Sequence, residues 1–357
     1  MGGLFKDILG NAESLFKHEP ALDYSFIPKI VPYREKEQRI IAGCIKPLFD
    51  KKNGKNAFVY GQPGVGKTVA LNKVLQELEE ETDEIIPIYI NCWQRNTTYQ
   101  IIAEICDKMG LKFIQNKRTE ELLRWAKQDL NKKSAVFVFD EVDKLQELDF
   151  LYMILEEISR KSVILITNYK EWILELEDRI KSRLMPEMIA FNPYNFEETK
   201  GILKHRVEYA FFPNVMGNDA FEIIAKKTFE LQDIRTGLHL MKEAGLIAES
   251  KSSRKISLEH AQQAIDKISE FTIKNSQQLE TDEQMILDIV KSNSGKKIGD
   301  LHKIYQNNGG KLVYKSFQRK IDKLEKDKFI TVEKTEGGED GNTTIVKSNS
   351  EKKLTEF

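Results

Sequence analysis

The sequence is short of cysteine, of long apolar runs and of any surplus charge, and each shortage removes a class of protein. Its 357 residues hold 3 cysteines, an odd number without paired spacing: Cys44, Cys92 and Cys106. Neither a disulfide framework nor a Cys-type zinc site is expected, and a reducing, intracellular compartment is. The 55 Lys and Arg stand against 56 Asp and Glu, a formal charge of −1, so no global basic field exists and any nucleic-acid contact must be local. No apolar run reaches the ~18 residues of a membrane span, and Met1 to Gly10 lacks the basic-then-apolar order of a signal peptide. Membrane and secreted classes are set aside. What is present, 40% apolar residues in a chain of this length, supports two or three domains at roughly 150 residues each.

Between residues 57 and 190 short apolar runs alternate with longer amphipathic stretches. The runs are Ala57 to Tyr60, Ile85 to Ile90, Ala135 to Phe139 and Val163 to Ile166, and the alternation predicts βαβ units on a parallel sheet, an α/β class. From about Asn195 helical stripes take over (Phe196 to Ala210, Asp219 to Phe229, Ile234 to Ala248, Leu258 to Lys274), which predicts a small all-helical domain. A polar stretch from Asn275 to Thr281 suits a linker. Three further helices (Glu283 to Ser292, Ile298 to Asn308, Tyr314 to Lys326), a strand at Phe329 to Glu333, a turn at Gly337 to Gly341 and a strand at Thr343 to Val346 spell a winged helix-turn-helix. The expected domains are residues 1–192, 193–275 and 276–357, with a frayed tail from Ser348.

Gly61-Gln-Pro-Gly64-Val65-Gly66-Lys67-Thr68 matches G-x-x-x-x-G-K-[ST], follows a predicted strand and opens a predicted helix at Val69. The glycines let successive amides converge on a polyphosphate at a helix N-terminus. Lys67 is then expected to bridge the β- and γ-phosphates of ATP, and Thr68 to offer a hydroxyl to Mg²⁺. The run Val136 to Phe139 ends in Asp140 and Glu141 at the C-terminal edge of a buried strand, where ligands of open α/β sheets collect. Asp140 is the second expected Mg²⁺ residue and Glu141 the general base. Asn168 ends the run Val163 to Thr167; by itself it reads as a turn residue, and beside the two motifs as the group that orients the attacking water.

These residues resemble an AAA+ ATPase and, more closely, the archaeal origin-recognition and replication-licensing initiators of the Orc/Cdc family. Val31-Pro-Tyr-Arg34-Glu35 resembles the family's adenine-contacting motif, and Asp178-Arg-Ile-Lys-Ser-Arg183-Leu184 its arginine-finger segment. Asn192-Pro-Tyr194 with Arg206 resembles the start of its lid, and Gln232-Asp-Ile-Arg235 the lid helix bearing the sensor arginine. The resemblance implies a P-loop AAA+ base, a helical lid and a C-terminal winged helix. It further implies that Val31, Arg34, Gly61, Gly64, Val65, Gly66, Lys67, Thr68, Val69, Tyr194, Arg206 and Arg235 lie around the nucleotide, and that Lys67, Asp140, Glu141, Asn168, Arg183 and Arg235 serve hydrolysis, Arg183 from a neighbouring subunit. Read without it, Arg179 and Arg183 are helix-face residues able to pair with Asp178 or Glu187, and Tyr194 is a core aromatic.

The family places a helical DNA-contacting insertion in its ATPase domain. Here Tyr99 to Met109 and Glu120 to Leu130 supply surplus helix, and residues 112–133 carry a net charge of +4. That charge suits phosphate contact or a solvated face. In the winged helix, Val313, Phe317, Ile321 and Leu324 are expected to face the core, with Lys315, Ser316, Arg319, Lys323 and Lys326 turned to duplex DNA. Residues 331–347 are net −2, so the wing is expected to contribute weakly. The function implied is an ATP-dependent replication initiator that binds origin-like double-stranded DNA, self-associates with ATP, meets a replicative helicase and works in the cytoplasm at the nucleoid. The competing readings are an AAA+ ATPase of a transposition, plasmid or regulatory system whose winged helix binds a protein partner, or DNA without origin function, and a nucleotide-switched regulator that binds DNA without meaningful turnover.

Overall fold

A computed structural model describes residues 14–112, 114–115, 117–277, 281–326, 329–335 and 343–348. The chain divides into two compact units, Met1–Ile265 and Asp266–Phe357.

The first unit is built on five parallel strands, β1 (Ala57–Tyr60), β2 (Ile85–Asn91), β3 (Ser134–Asp140), β4 (Lys161–Thr167) and β5 (Glu187–Ala190), in the order β2-β3-β4-β1-β5. Helices cover both faces, so the inner strands are apolar on both sides and read as continuous runs. On β3, Ala135, Phe137 and Phe139 enter one core while Val136 and Val138 enter the other. Helices α1 (Glu35–Ile45) and α2 (Lys67–Glu81) close the Val136 face. The Phe137 face is closed by α3 (Thr98–Lys108), α4 (Thr119–Leu130), α5 (Asp149–Glu157) and α6 (Asp178–Leu184). Strand β5 has no counterpart among the expected strands. It is a four-residue edge with only Ile189 buried, too short to announce itself by pattern.

Four helices follow: α7 (Phe196–Ala210), α8 (Asn218–Leu231), α9 (Ile234–Ser250) and α10 (Leu258–Gln277). Asn195 and Glu198 form a reciprocal capping box at the start of α7. Asp233 caps α9 by accepting from the Arg235 amide at 2.9 Å. The polar stretch expected as a linker from Asn275 is helical as far as Gln277, because Asn, Ser and Gln are tolerated in a last turn.

In the second unit come α11 (Thr281–Ser292), β6 (Lys296–Lys297), α12 (Ile298–Asn307), α13 (Tyr314–Lys326), β7 (Ile330–Thr335) and β8 (Thr343–Ser348), the element order of a winged helix. The strands form an antiparallel sheet ordered β6-β8-β7. Phe317, Ile321 and Leu324 are fully buried as expected, around Tyr305 and Ile286. Val313 is a correction to the expected stripe: it precedes α13, is 67% exposed, and offers its carbonyl to the amides of Ser316 and Phe317. The turn Gly337 to Gly341 and the tail beyond Ser348 lie outside the described residues.

Candidate active site

The loop between β1 and α2 winds tightly over the strand ends. Gly64 (φ 80°) and Gly66 (φ 85°) occupy left-handed backbone, and a Cβ on Gly66 would lie 2.6 Å from the Tyr194 hydroxyl oxygen. Lys67 is buried, and its Nζ donates to the Gly61 and Gln62 carbonyls at 2.7 and 2.9 Å and to Asn168 Oδ1 at 2.8 Å. Burial lowers its pKa to about 8, the nearby Asp140 carboxylate opposing and Arg235 adding to the shift. Thr68 Oγ1 donates to Asp140 Oδ2 at 2.6 Å, and the Tyr89 hydroxyl donates to the same oxygen at 2.9 Å. Glu141 stands next on left-handed backbone (φ 59°), its pKa raised first by burial and then by Asp140 and Asp143.

A hydroxyl and a carboxylate touching at the loop mouth form an all-oxygen donor set. That fits a hard divalent cation, since Mg²⁺ takes one or two protein oxygens and finds the rest in phosphates and water. Among the described residues no group of three His, Cys, Asp or Glu gathers as a self-sufficient metal cage.

One cleft gathers Gly64, Gly66, Lys67, Thr68, Val69, Asp140, Glu141 and Asn168 from the sheet edge with Val31, Tyr194, Arg206 and Arg235. Its far end is more apolar, walled by Tyr24, Pro28 and Ile30 from the N-terminal segment, Ile202 and Tyr209 from α7, and Leu238 from α9. A charged end beside an apolar one suits a polyphosphate joined to a flat base. Arg206 lines this wall, but its Nη atoms donate to the Ala21 and Phe26 carbonyls at 3.1 and 3.2 Å, fastening the N-terminal segment over the cleft. Burial brings its pKa down to about 10. Arg235 reaches the cleft while paired in two places with Asp233 at 3.1 Å.

Other expected residues stand apart from the cleft. Gly61 and Val65 do not line it: a Cβ on Gly61 would clash with the Phe191 carbonyl oxygen, and Val65 is buried. Arg34 sits behind the loop: its Nε donates to the Val65 carbonyl (3.1 Å) and the Tyr194 hydroxyl (3.0 Å) and its Nη2 to the Asn192 carbonyl (2.6 Å), while Nη1 meets Glu37 at 3.0 Å. Its guanidinium stacks 3.9 Å from the Tyr194 ring centre. Arg183 is on the surface, paired with Glu156 and 4.9 Å above the Tyr152 ring. Arg179 lies over the same ring.

In the second unit Lys315 and Arg319 are exposed on α13, and Ser316 is half-buried. Lys323 is tied down, its Nζ sharing the buried Glu283 carboxylate with Lys320 at 2.6 and 2.8 Å. In the basic stretch before β3, Lys117, Lys127 and Lys132 form ion pairs with Glu121, Glu157 and Asp129. Sequence reasoning passed over Tyr89, Asp143, Asp233 and the wall residues Tyr24, Ile30 and Tyr209. No local pattern marks Tyr89: it pairs with Val138 in the β2–β3 register, two positions before the Asn91–Asp140 pair, and only that strand pairing brings its hydroxyl to Asp140.

Comparison with known proteins brings the same two regions forward. Residues 50–171 match the AAA domain family and residues 200–266 the Cdc6 AAA+ ATPase-type lid domain. The ORC1-type DNA replication protein of Pyrococcus abyssi is 33% identical over 75% of this chain and 68% of its own length. ORC1-type DNA replication protein 2 of Methanothermobacter thermautotrophicus is 28% identical over 96% of this chain and 94% of its own. Among solved structures, the Aeropyrum pernix ORC1 protein in complex with DNA superposes with a TM-score of 0.69 at 25% identity, covering 95% of each chain. The Aeropyrum pernix ORC2 protein, in ADPNP–ADP complexes, shares the fold at a TM-score of 0.73 and 16% identity.

Proposed function

The chain belongs to the ORC1-type DNA replication proteins, and from that premise we propose that it is an AAA+ ATPase that binds origin-like duplex DNA in its ATP form and hydrolyses ATP to reset. The observation that carries this reading is the single cleft in which Lys67, Asp140, Glu141 and Asn168 of the sheet edge meet Arg235 of the helical region.

In this reading residues 1–192 are the base, 193–275 the lid and 276–357 the winged helix. Lys67 and the loop amides bind the phosphates, and Val31, Tyr24, Ile30 and Tyr209 enclose the base. Thr68 and Asp140 would hold Mg²⁺, which when bound neutralises phosphate charge and orients the phosphate oxygens. Glu141 takes the proton of the attacking water, and Asn168 orients that water. Arg235 senses the terminal phosphate from the lid. Arg183, exposed and away from its own chain's cleft, serves a neighbouring subunit's nucleotide, which makes turnover depend on self-association. Duplex DNA is held mainly by Lys315 and Arg319 on α13. Lys323 contributes less than its position on the helix suggests, because Glu283 holds it. A replicative helicase is the downstream partner, and the cytoplasmic nucleoid the place of action.

A second reading, a protein-binding winged helix in an AAA+ ATPase of another system, is favoured by that capture of Lys320 and Lys323 and by the overall charge of −1. Footprinting the ATP-loaded chain on genomic DNA separates the two. Discrete protected sites support the initiator, and binding without sequence preference at physiological salt refutes it.

A further inference from the structure

The β3–β4 ladder ends at the pair Phe139 and Leu165, short of the two residues assigned to the attacking water. Glu141 and Asn168 therefore lie on separate turns that no backbone pairing in that ladder holds together. Asp143 lies in the short helical turn Val142–Lys144 directly after Glu141, and its side chain is 6% exposed. Its Oδ1 accepts from Thr167 Oγ1 at 3.0 Å, and its Oδ2 lies 2.7 Å from Lys144 Nζ. Thr167, 1% exposed, also accepts from the Tyr169 amide at 3.1 Å, so one hydroxyl fixes the chain on both sides of Asn168. On the opposite turn the Lys144 amide donates to the Glu141 carbonyl at 2.9 Å, tying Asp143's neighbour to the general-base residue.

We propose that Asp143 is a positioning residue for ATP hydrolysis: through Thr167 it fixes the turn bearing Asn168 relative to the turn bearing Glu141. The proposal rests on the ATPase reading above. Asp143 touches neither the phosphates nor the water. It acts by setting the distance between two groups that must address one water together, and small misplacements of such groups slow chemistry far more than they weaken binding. A hydrogen bond between two buried side chains suits this task because the surroundings keep water from replacing it. Lys144, a third exposed, screens the remaining charge of the carboxylate.

The test uses the full chain, with steady-state hydrolysis, a fluorescent ATP analogue for binding, and thermal melting to monitor folding. Thr167→Val removes the donor at almost unchanged volume, and we expect kcat to fall about ten-fold while nucleotide affinity stays within about two-fold. Thr167→Ser, which keeps the donor, restores most of the rate. In an Asn168→Ala background Thr167→Val adds little further loss, since the strut then has nothing to position. Asp143→Leu behaves as Thr167→Val does. Wild-type turnover in folded Thr167→Val, or a loss that persists undiminished without the Asn168 side chain, overturns the proposal while leaving the ATPase reading intact. A wild-type chain that binds nucleotide and never turns it over would overturn both.

Discussion

Replacing Arg34 by alanine removes one guanidinium from four acceptors at once: the Val65 and Asn192 carbonyls, the Tyr194 hydroxyl and the Glu37 carboxylate. Arg34 is 5% exposed, so water cannot replace the lost donors without opening the structure. A hydrogen bond from a charged donor is worth about 1.5–3 kcal/mol, and breaking a buried charged cluster about 3–5 kcal/mol. The four contacts share one side chain and do not add, so the lower part of the second range applies, about 3 kcal/mol, with the stacking on Tyr194 lost in the same step. For a unit of this size that lowers Tm by roughly 6–12 °C. Because the Val65 carbonyl belongs to the phosphate loop, the analogue affinity should also fall, by about ten-fold if the loop forfeits about 1.4 kcal/mol of preorganisation. Lysine cannot reproduce the fork or the stack, so Arg34→Lys should recover less than half of the lost Tm. Arg34→Ala that melts within about 2 °C of wild type and binds the analogue equally well would refute the bracing role.

Lys67→Ala should abolish nucleotide binding while Glu141→Gln keeps ATP bound and stops turnover; equal loss of fluorescent-nucleotide affinity in both sinks that division of roles. Arg183→Ala should lower DNA-stimulated turnover without changing affinity for nucleotide, and wild-type rates under those conditions remove the assignment in trans. Lys315→Ala with Arg319→Ala should weaken duplex binding and flatten its salt dependence by about one unit per lost phosphate contact, whereas Lys323→Ala should change the slope less. An unchanged slope in the folded double variant would transfer the winged helix to a protein partner.

Much of the architecture was legible because its strands are buried on both faces. Val136 to Phe139 and Val163 to Ile166 have no polar interruption, and such runs are hard to place anywhere but mid-sheet. Strand β5 was not legible for the opposite reason, since an edge of four residues with one buried side chain carries no pattern. The same holds for β6, two exposed lysines whose strand character comes only from pairing with Ile345 and Val346. Val313 was misplaced because helical periodicity says nothing of where a helix begins, and here the chain turns into α13 one residue later. Within the cleft, the phosphate loop and the carboxylate pair are local in sequence and could be read; the Asp143–Thr167 bond spans 24 residues, with α5 and β4 between its ends, so no local pattern encodes it.

The arginines show why a motif letter does not fix what a side chain does. Arg34, Arg206, Arg183 and Arg235 all stand in segments that resemble nucleotide-contacting motifs, yet burial sorts them into two kinds. Arg34 and Arg206 are 5% and 8% exposed, and their donors are committed to carbonyls, a hydroxyl and a carboxylate of the protein itself. Releasing them to a phosphate would strand buried acceptors, so what the structure shows them doing is fastening the loop and the wall of the cleft. Arg183 and Arg235 hold carboxylates at the surface, where ion pairs are weak and readily exchanged. A polyphosphate, bearing more charge than Glu156 or Asp233, can take such a guanidinium from its partner at little loss. In the proposed mechanism the two arginines with exchangeable partners, Arg183 and Arg235, are thus the ones suited to report a terminal phosphate, and Arg34 and Arg206, whose donors are committed, are suited to keep the cleft in shape.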